Sequence, residues 1–390
     1  MKQEKKRIAI IIQMLRGGGA ERTAANMSID LSPYYEVHLI VFDANNTSYN
    51  QSGIVHDLQL PASKVFWKKC ITLYHRIKAV KAIKQKYNIS CTVSLMEGAN
   101  LVNVLSRKND KIIISERNLI SFFIKGGIHK LLIKYIHRKA DKVVALSNLV
   151  RDDLIKNFGC SEDKIVTIYN SVDISKFSIY NKKHILSPYI VTMGRLTYQK
   201  AQWHIIRAFR AIINKYPKLK LVIIGDGELK NELELLVDNL GLANKVVFTG
   251  YIDNPHSIIK NAELFVFSSI VEGLGSVILE ALACNKTVIS TDCDAGPREI
   301  LAPSSNINKK TDTIEYAEYG VLIPTENDKF EPNITELSKS EMLLAEAIST
   351  LLDNDSLRKT YEEKTRKRIL DFSPERIAEQ WVNLISEVNG

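Results

Sequence analysis

Residues 262–292, AELFVFSSIVEGLGSVILEALACNKTVISTD, decide how the chain is read. The run Leu264-Phe-Val-Phe267 is apolar without alternation and too short for a helix, the pattern of a strand buried on both faces. Residues 268–275 form a loop with two glycines. From Ser276 to about Asn285 the spacing predicts a helix whose apolar side carries Val277, Leu279, Ala281 and Leu282. The β-branched run Thr287-Val-Ile289 then gives a second strand. Strand, loop, helix and strand in this order build a parallel sheet.

Two carboxylates fall where such a sheet binds ligands. Glu272 lies in the loop beyond the carboxyl end of the strand, and Glu280 follows eight residues later. From Ser276 to Glu280 a helix turns about 400° and rises about 6 Å, so both project from one face, with Glu280 a turn deeper. The backbone N–H groups of Gly273, Leu274, Gly275 and Ser276 point out of the helix N-terminus and favour an anionic or hydroxyl-rich ligand. A carboxylate accepts well from vicinal hydroxyls, which suggests a ribose for Glu280 and a hexose for Glu272. The bland alternative is a solvated loop acid and a salt-bridged helix acid.

Elsewhere the chain carries Gly194-Arg-Leu-Thr-Tyr-Gln-Lys200 after one strand and Gly225-Asp-Gly227 after another. With Arg195, Lys200, Glu272 and Glu280 in this order, nearly the whole chain resembles the retaining glycosyltransferases of family 4. The segments Glu272-Gly-Leu-Gly275 and Asp294-Ala-Gly-Pro-Arg-Glu-Ile-Leu301 are most similar to the subgroup that builds bacterial surface polysaccharide and lipid-linked glycans. The resemblance implies an α/β protein of the GT-B class, with two Rossmann-like doubly wound parallel-sheet domains facing a central cleft. It also implies a UDP-sugar donor. Arg195 and Lys200 would then meet the donor diphosphate, the guanidinium by a two-pronged contact and the ammonium as a compact charge, both strengthening as the leaving group gains charge. Gly194, Gly225, Tyr251 and Ile252 would line the base and ribose, with the Ile252 backbone reading uracil. Arg298 is a further candidate contact to phosphate or sugar, or a structural arginine at a helix start.

The 390 residues predict two to three domains, and 45% hydrophobic with 25% charged residues is the composition of a folded protein. No signal peptide is expected, and no stretch reaches the ~20 apolar residues of a membrane span. Five scattered cysteines without CxxC spacing read as reduced thiols, neither a metal site nor a disulfide framework. The net charge of +9 is unevenly divided: residues 1–180 hold 28 Lys and Arg against 15 Asp and Glu, residues 181–390 hold 25 against 29.

In the basic half, a strand at 8–12 leads into the turn Arg16-Gly-Gly-Gly-Ala-Glu-Arg22 and a helix over 23–31. The spacing is not GxGxxG, and no acid fits the ribose position of a dinucleotide site, which disfavours a dehydrogenase. Gly17, Gly18 and Gly19 still let a ligand approach the backbone, and the resemblance places this loop beside the donor diphosphate and the acceptor. Residues 58–96 contain no acid, while Lys64, Lys68, Lys69, Arg76, Lys78, Lys81, Lys84 and Lys86 interleave with apolar residues, with helical periodicity over 71–87. Residues 122–139 repeat this with Lys125, Lys130, Lys134, Arg138 and Lys139. Such faces suit an anionic membrane surface; the plainer reading is a solvated helix face. No nucleic-acid motif accompanies the charge.

A strand at 112–116 ends in Glu116-Arg117-Asn118, where many family members carry a histidine on the donor sugar. These residues stand in that region, and His129 and His137 read as packing or interfacial. The polar stretch 170–187 is expected to link the domains: 1–180 for the acceptor and 187–371 for the nucleotide sugar, with a helix over 372–390 crossing back.

The expected protein is therefore a cytoplasmic enzyme, peripheral on the inner face of the plasma membrane. It would move an N-acetylhexosamine or hexose from a UDP-sugar to a lipid-diphosphate-linked glycan with retention, without metal and without binding nucleic acid. Asp292-Cys-Asp294 has the DxD spacing of a metal-binding motif, but Arg195 and Lys200 already take the charge role. The alternatives are a sugar-nucleotide epimerase of related fold and a non-enzymatic basic protein that binds glycan or nucleic acid.

Overall fold

The computed structural model describes residues 5–63, 65–124, 126–174, 188–327, 329–333 and 336–390. The chain forms two compact units, one of Met1–Ser171 with Pro374–Gly390 and one of Val172–Ser373. Most of the 170–187 stretch, with Lys64 and Lys125, lies outside the described residues.

The first unit contains strands β1 (Arg7–Ile12), β2 (Glu36–Val41), β3 (Ile54–Asp57), β4 (Cys91–Leu95), β5 (Lys111–Glu116), β6 (Lys142–Ala145) and β7 (Ile165–Thr167). They form one parallel sheet in the order β3-β2-β1-β4-β5-β6-β7. Helices α1 (Gly19–Leu31), α2 (Phe66–Lys86), α3 (Glu97–Leu105), α4 (Ile120–Phe123), α5 (Gly127–Lys139) and α6 (Asn148–Phe158) connect them. β1 shows why its sequence does not alternate. Ile8, Ile10 and Ile12 enter a core with Ala24, Met27 and Leu31 of α1, while Ala9 and Ile11 enter a second core with Val80 and Val102. Both faces are covered, and each buried isoleucine contributes about 1.5–3 kcal/mol.

Four elements of this unit depart from the sequence reading. β3 has three of its four residues exposed and gave no hydrophobic signal. β4 and α3 went unseen because Thr92 and Ser94 make β4 look like loop. Both hydroxyls are buried, and they donate to Asp110 (2.8 Å) and Asn100 (2.8 Å). α1 also begins at Gly19, not Thr23, so the predicted turn is half helix.

The second unit contains β8 (Tyr189–Met193), β9 (Lys220–Ile224), β10 (Val246–Phe248), β11 (Leu264–Phe267), β12 (Val288–Thr291), β13 (Glu315–Tyr316) and β14 (Val321–Ile323). Their order is β10-β9-β8-β11-β12-β14-β13, parallel except for the antiparallel β13–β14 pair at the edge. Its helices are α7 (Gln202–Ile212), α8 (Lys230–Asn239), α9 (His256–Lys260), α10 (Ser276–Ala283), α11 (Pro297–Leu301), α12 (Lys339–Asp353) and α13 (Asp355–Arg368). The core joins Leu221, Ile223, Leu264, Val266 and Ile289 of the sheet to Trp203, Ile206 and Phe209 of α7 and Leu344, Ile348 and Leu351 of α12. The last helix, α14 (Pro374–Asn389), buries Ile377, Trp381, Leu384 and Ile385 in the first unit's core. Their spacing is one helical face.

Candidate functional site

At the carboxyl edge of the second sheet, the loops after successive strands are tied together through the backbone. Leu196 N–H donates to Asp226 O (3.0 Å), Gly225 N–H to Gly250 O (2.9 Å), Ile270 N–H to Gln199 O (2.9 Å) and Glu272 N–H to Asp294 O (2.9 Å). Gly225 sits at φ +136°, and a Cβ there would strike the carbonyl of Gly194. The two glycines predicted to line the donor thus meet each other, and no larger residue fits at Gly225.

Lys200 closes a short 3-10 turn, and its Nζ pairs with Glu272 Oε1 while lying 5.5 Å from the Phe267 ring centroid. Glu272 is 7% exposed. Two residues with separate expected roles are therefore partners across two loops. Arg195 is exposed, and its carbonyl accepts from Gln202 Nε2 (3.1 Å).

Glu280 is buried on α10, with Oε2 3.3 Å from His256 Nε2 at the start of α9. Nothing in the sequence pattern marks His256, apart from its place six residues beyond Gly250. Burial, together with the neighbouring Glu280 charge, pushes the Cys284 thiol up to about 12, which leaves it an inert packing group. α10 begins at Ser276 as predicted, capped by Gly275 in the left-handed conformation, and its first intrahelical bond runs from Ile278 N–H to Gly275 O (2.8 Å). Gly273 and Leu274 are buried, Ile252 is half-buried, and Tyr251 is exposed.

Arg298 is buried, and its guanidinium donates to Asp292 (Nη2 to Oδ2, 2.6 Å), to both Glu315 oxygens (3.1 and 3.0 Å) and to Ser305 Oγ (3.1 Å). Burial pulls this guanidinium down, but the Glu315 and Asp292 bonds outweigh it and hold it above its ordinary value. Asp294 pairs with Lys310 at 3.0 Å. Both acids of the DxD motif are thus held by cations.

In the first unit, Gly18 is the N-cap residue of α1, with the Glu21 carboxylate folded over it, and Gly17 has φ +74°. Glu116 is buried, accepts from Asn100 Nδ2 (3.1 Å) and pairs with His137 Nε2 (3.1 Å). Arg117 turns to different neighbours, Ser115, Thr23 and Asn170. Asn118 is exposed.

Of the two basic segments, α2 carries a solvent-facing stripe of Trp67, Ile71 and Tyr74, 76, 57 and 62% exposed, followed by exposed Lys78 and Lys81. Lys84 corrects the sequence reading: it is buried, with Nζ 2.9 Å from Asp110 Oδ2. Arg76 likewise donates to Leu60 O and stacks over Phe42. α5 exposes Ile128, Leu131 and Tyr135, whereas His137 is inside. No described helix is long and apolar enough to cross a membrane.

Comparison with known proteins gives matches along most of the chain. The profile for glycosyl transferases group 1 matches residues 179–368, and that for glycosyltransferase family 4 matches residues 17–176. An uncharacterised glycosyltransferase of Methanocaldococcus jannaschii is 34% identical over 301 residues, 73% of this chain and 74% of that protein. A Campylobacter jejuni N-acetylgalactosamine-N,N'-diacetylbacillosaminyl-diphospho-undecaprenol 4-alpha-N-acetylgalactosaminyltransferase is 28% identical, covering 95% of this chain and 97% of its own. Among solved structures, an Anabaena protein in complex with UDP and glucose superposes with a TM-score of 0.76 at 16% identity, over 98% of this chain and 100% of that one. The last similarity speaks to the fold alone.

Proposed function

The chain belongs to the glycosyltransferases of group 1 and family 4, and on that premise we propose that it transfers an N-acetylhexosamine or hexose from a UDP-sugar to a lipid-diphosphate-linked glycan, with retention, in bacterial surface glycan synthesis. The observation that carries the acceptor class is the match, over nearly the full length of both chains, to a Campylobacter enzyme named for a diphospho-undecaprenol substrate. Family membership sets aside the epimerase and the non-enzymatic binder.

In this reading Arg195 and the Lys200–Glu272 pair meet the diphosphate and the sugar. An arriving diphosphate gives the Lys200 ammonium a second anion and leaves Glu272 free to accept from a sugar hydroxyl. The first turn of α10 adds N–H donors, and Glu280, oriented by His256, takes the ribose hydroxyls. Charge on the departing nucleotide is met by cations, so the reaction is proposed to need no metal. Asp292 and Asp294, each ion-paired, support that. The exposed aromatic and basic stripe of α2 is proposed to rest on the anionic inner face of the plasma membrane, where a lipid-linked acceptor is presented.

The test is incubation with a panel of UDP-sugars and short-chain polyprenyl-diphosphate glycans, read by mass spectrometry, with and without EDTA. A mass increment of one sugar that survives EDTA supports the reading. No increment with any pair, or loss on chelation with rescue by Mn²⁺, counts against it.

A further inference from the structure

Lys200 stands on a turn that is weakly held by its own residues. The 3-10 turn Tyr198–Lys200 has no side-chain cap and is closed by Lys200 N–H donating to Thr197 O (3.0 Å). The next residue, Ala201, is fully buried with φ +49°, in the left-handed region that a residue with a Cβ adopts only at a cost. Such a backbone persists where its surroundings leave it no alternative. On one side the loop after β11 supplies that constraint: Ile270 N–H donates to Gln199 O (2.9 Å), Gln199 Nε2 to Val271 O (2.7 Å) and Ser268 Oγ to Lys200 O (2.9 Å).

On the other side stands the connection from β14 to α12, whose described residues are 324–327, 329–333 and 336–338. It is fastened to α7 and α8. Arg207 Nη2 donates to Glu331 O (2.9 Å), and Asn239 Nδ2 donates to Pro332 O (3.2 Å). Glu341, in the first turn of α12, pairs with His204 Nδ1 (2.8 Å) and accepts from Arg207 Nη1 (3.2 Å), while Ser338 Oγ donates to Glu326 and closes the connection on itself. Phe330 is half-buried, its ring stacked on Trp203 of α7 with centroids 4.7 Å apart and planes 14° from parallel. Trp203 is fully buried, and its ring lies 5.4 Å from that of Tyr198, the first residue of the turn. The Tyr198 hydroxyl in turn donates to Asn327 Oδ1 (3.3 Å). The connection thus reaches the Lys200 turn twice, through the rings of Phe330, Trp203 and Tyr198 and through Asn327.

Resting on the reading in which Lys200 meets the donor diphosphate, we infer that the connection from β14 to α12 positions Lys200 for that contact, with Phe330 acting through Trp203 and Tyr198. Neither Phe330 nor Asn327 has a charge to present to a nucleotide, so their effect passes through the backbone of the turn. Aromatic rings at these separations have preferred relative orientations, and a fully buried Trp203 has no free space to turn into. The face of Phe330 therefore fixes the plane of Trp203, and that plane fixes where Tyr198 rests. Lys200 needs such a support because its Nζ is already engaged by Glu272. A diphosphate draws the ammonium toward itself, and the contact forms at full strength only if the side chain reorients while the backbone that carries it stays in place.

The measurement is calorimetric titration of UDP into the full chain. Phe330→Ala should weaken UDP about 5-fold, within the range of couplings carried by a shared backbone shift, and Phe330→Tyr, which keeps the ring, should bind as the wild type does. In a Lys200→Ala background Phe330→Ala should bring no further loss, because the group it positions is gone. Tyr198→Leu cuts the same path at an exposed residue, should show the same dependence on Lys200, and carries the test should Phe330→Ala fail to fold. A purely structural role would lower the unfolding midpoint and leave UDP affinity unchanged, which overturns the inference. A loss of equal size with and without Lys200, or in Phe330→Tyr as in Phe330→Ala, overturns it too. Wild-type UDP affinity in Lys200→Ala itself removes the premise about Lys200 and the inference with it, so the two failures are told apart by that single variant.

Discussion

Lys200 Nζ donates to Glu272 Oε1, so the cation that follows β8 and the acid within the loop after β11 hold each other across two βα connections. Removing either one leaves the other buried or half-buried without its partner. In the proposed reaction the pair also presets both groups where the diphosphate and the sugar meet.

Lys200→Ala and Glu272→Gln should each lower turnover by ~10²-fold, since a preorganised charged contact in an active site is worth about 2.7–4 kcal/mol. Because the two side chains touch, the double variant should lose less than the product of the single losses, with a coupling of about 1–3 kcal/mol. Initial rates in the four-protein cycle decide it, and independent losses would refute the shared role.

Glu280→Gln should weaken UDP by about 1.5–3 kcal/mol, the range of one hydrogen bond to a charged acceptor. His256→Gln should move UDP affinity in the same direction by a smaller amount, because it orients Glu280. Glu272→Gln should leave UDP nearly unchanged. If titration of UDP finds Glu272→Gln the weaker binder, the two acids have exchanged roles.

The Arg298 hydrogen bonds hold the Glu315 carboxyl below its ordinary value of 4.5. A depressed carboxylate stabilises the fold above its unfolded value and loses that contribution as pH falls through the folded one. Glu315→Gln should therefore destabilise the fold at pH 7, and progressively less as pH falls below ~4. Denaturant unfolding across pH 3 to 7 checks it, and a pH-independent difference would show that the charge is not what matters.

Binding of the full chain to anionic liposomes should fall with added salt and with Lys78→Glu and Lys81→Glu, each reversal removing about 1 kcal/mol or more of attraction. Trp67→Ala should also weaken it. Lys84→Glu should instead lower the unfolding midpoint, because it sets a second carboxylate against Asp110. Co-sedimentation with neutral and anionic vesicles provides the readout, and equal binding to both would remove the electrostatic account of α2.

Periodicity and loop chemistry made much of the fold legible. The unalternating runs of β1, β8 and β11 announce strands covered on both faces. Gly194 to Lys200 and Glu272 to Glu280 announce loops at their carboxyl ends. β4 was illegible for a physical reason: Thr92 and Ser94 are buried with their hydroxyls donating to Asp110 and Asn100, partners outside the strand itself. A polar residue reads as exposed until its partner is known.

The sequence by itself determined the family, the doubly wound α/β class and the residue types available for phosphate and sugar, because these rest on local pattern and spacing. Only the tertiary structure decided which charges meet. It paired Lys200 with Glu272, brought the unmarked His256 to Glu280, and enclosed Arg298 between Asp292 and Glu315. It also took Lys84 out of the basic face of α2 and left Arg117 buried among neutral oxygens. The reason is that a charge's environment depends on three-dimensional distance and burial, and both are set by strands and loops separated along the chain, by 72 residues for Lys200 and Glu272 and by 24 for His256 and Glu280.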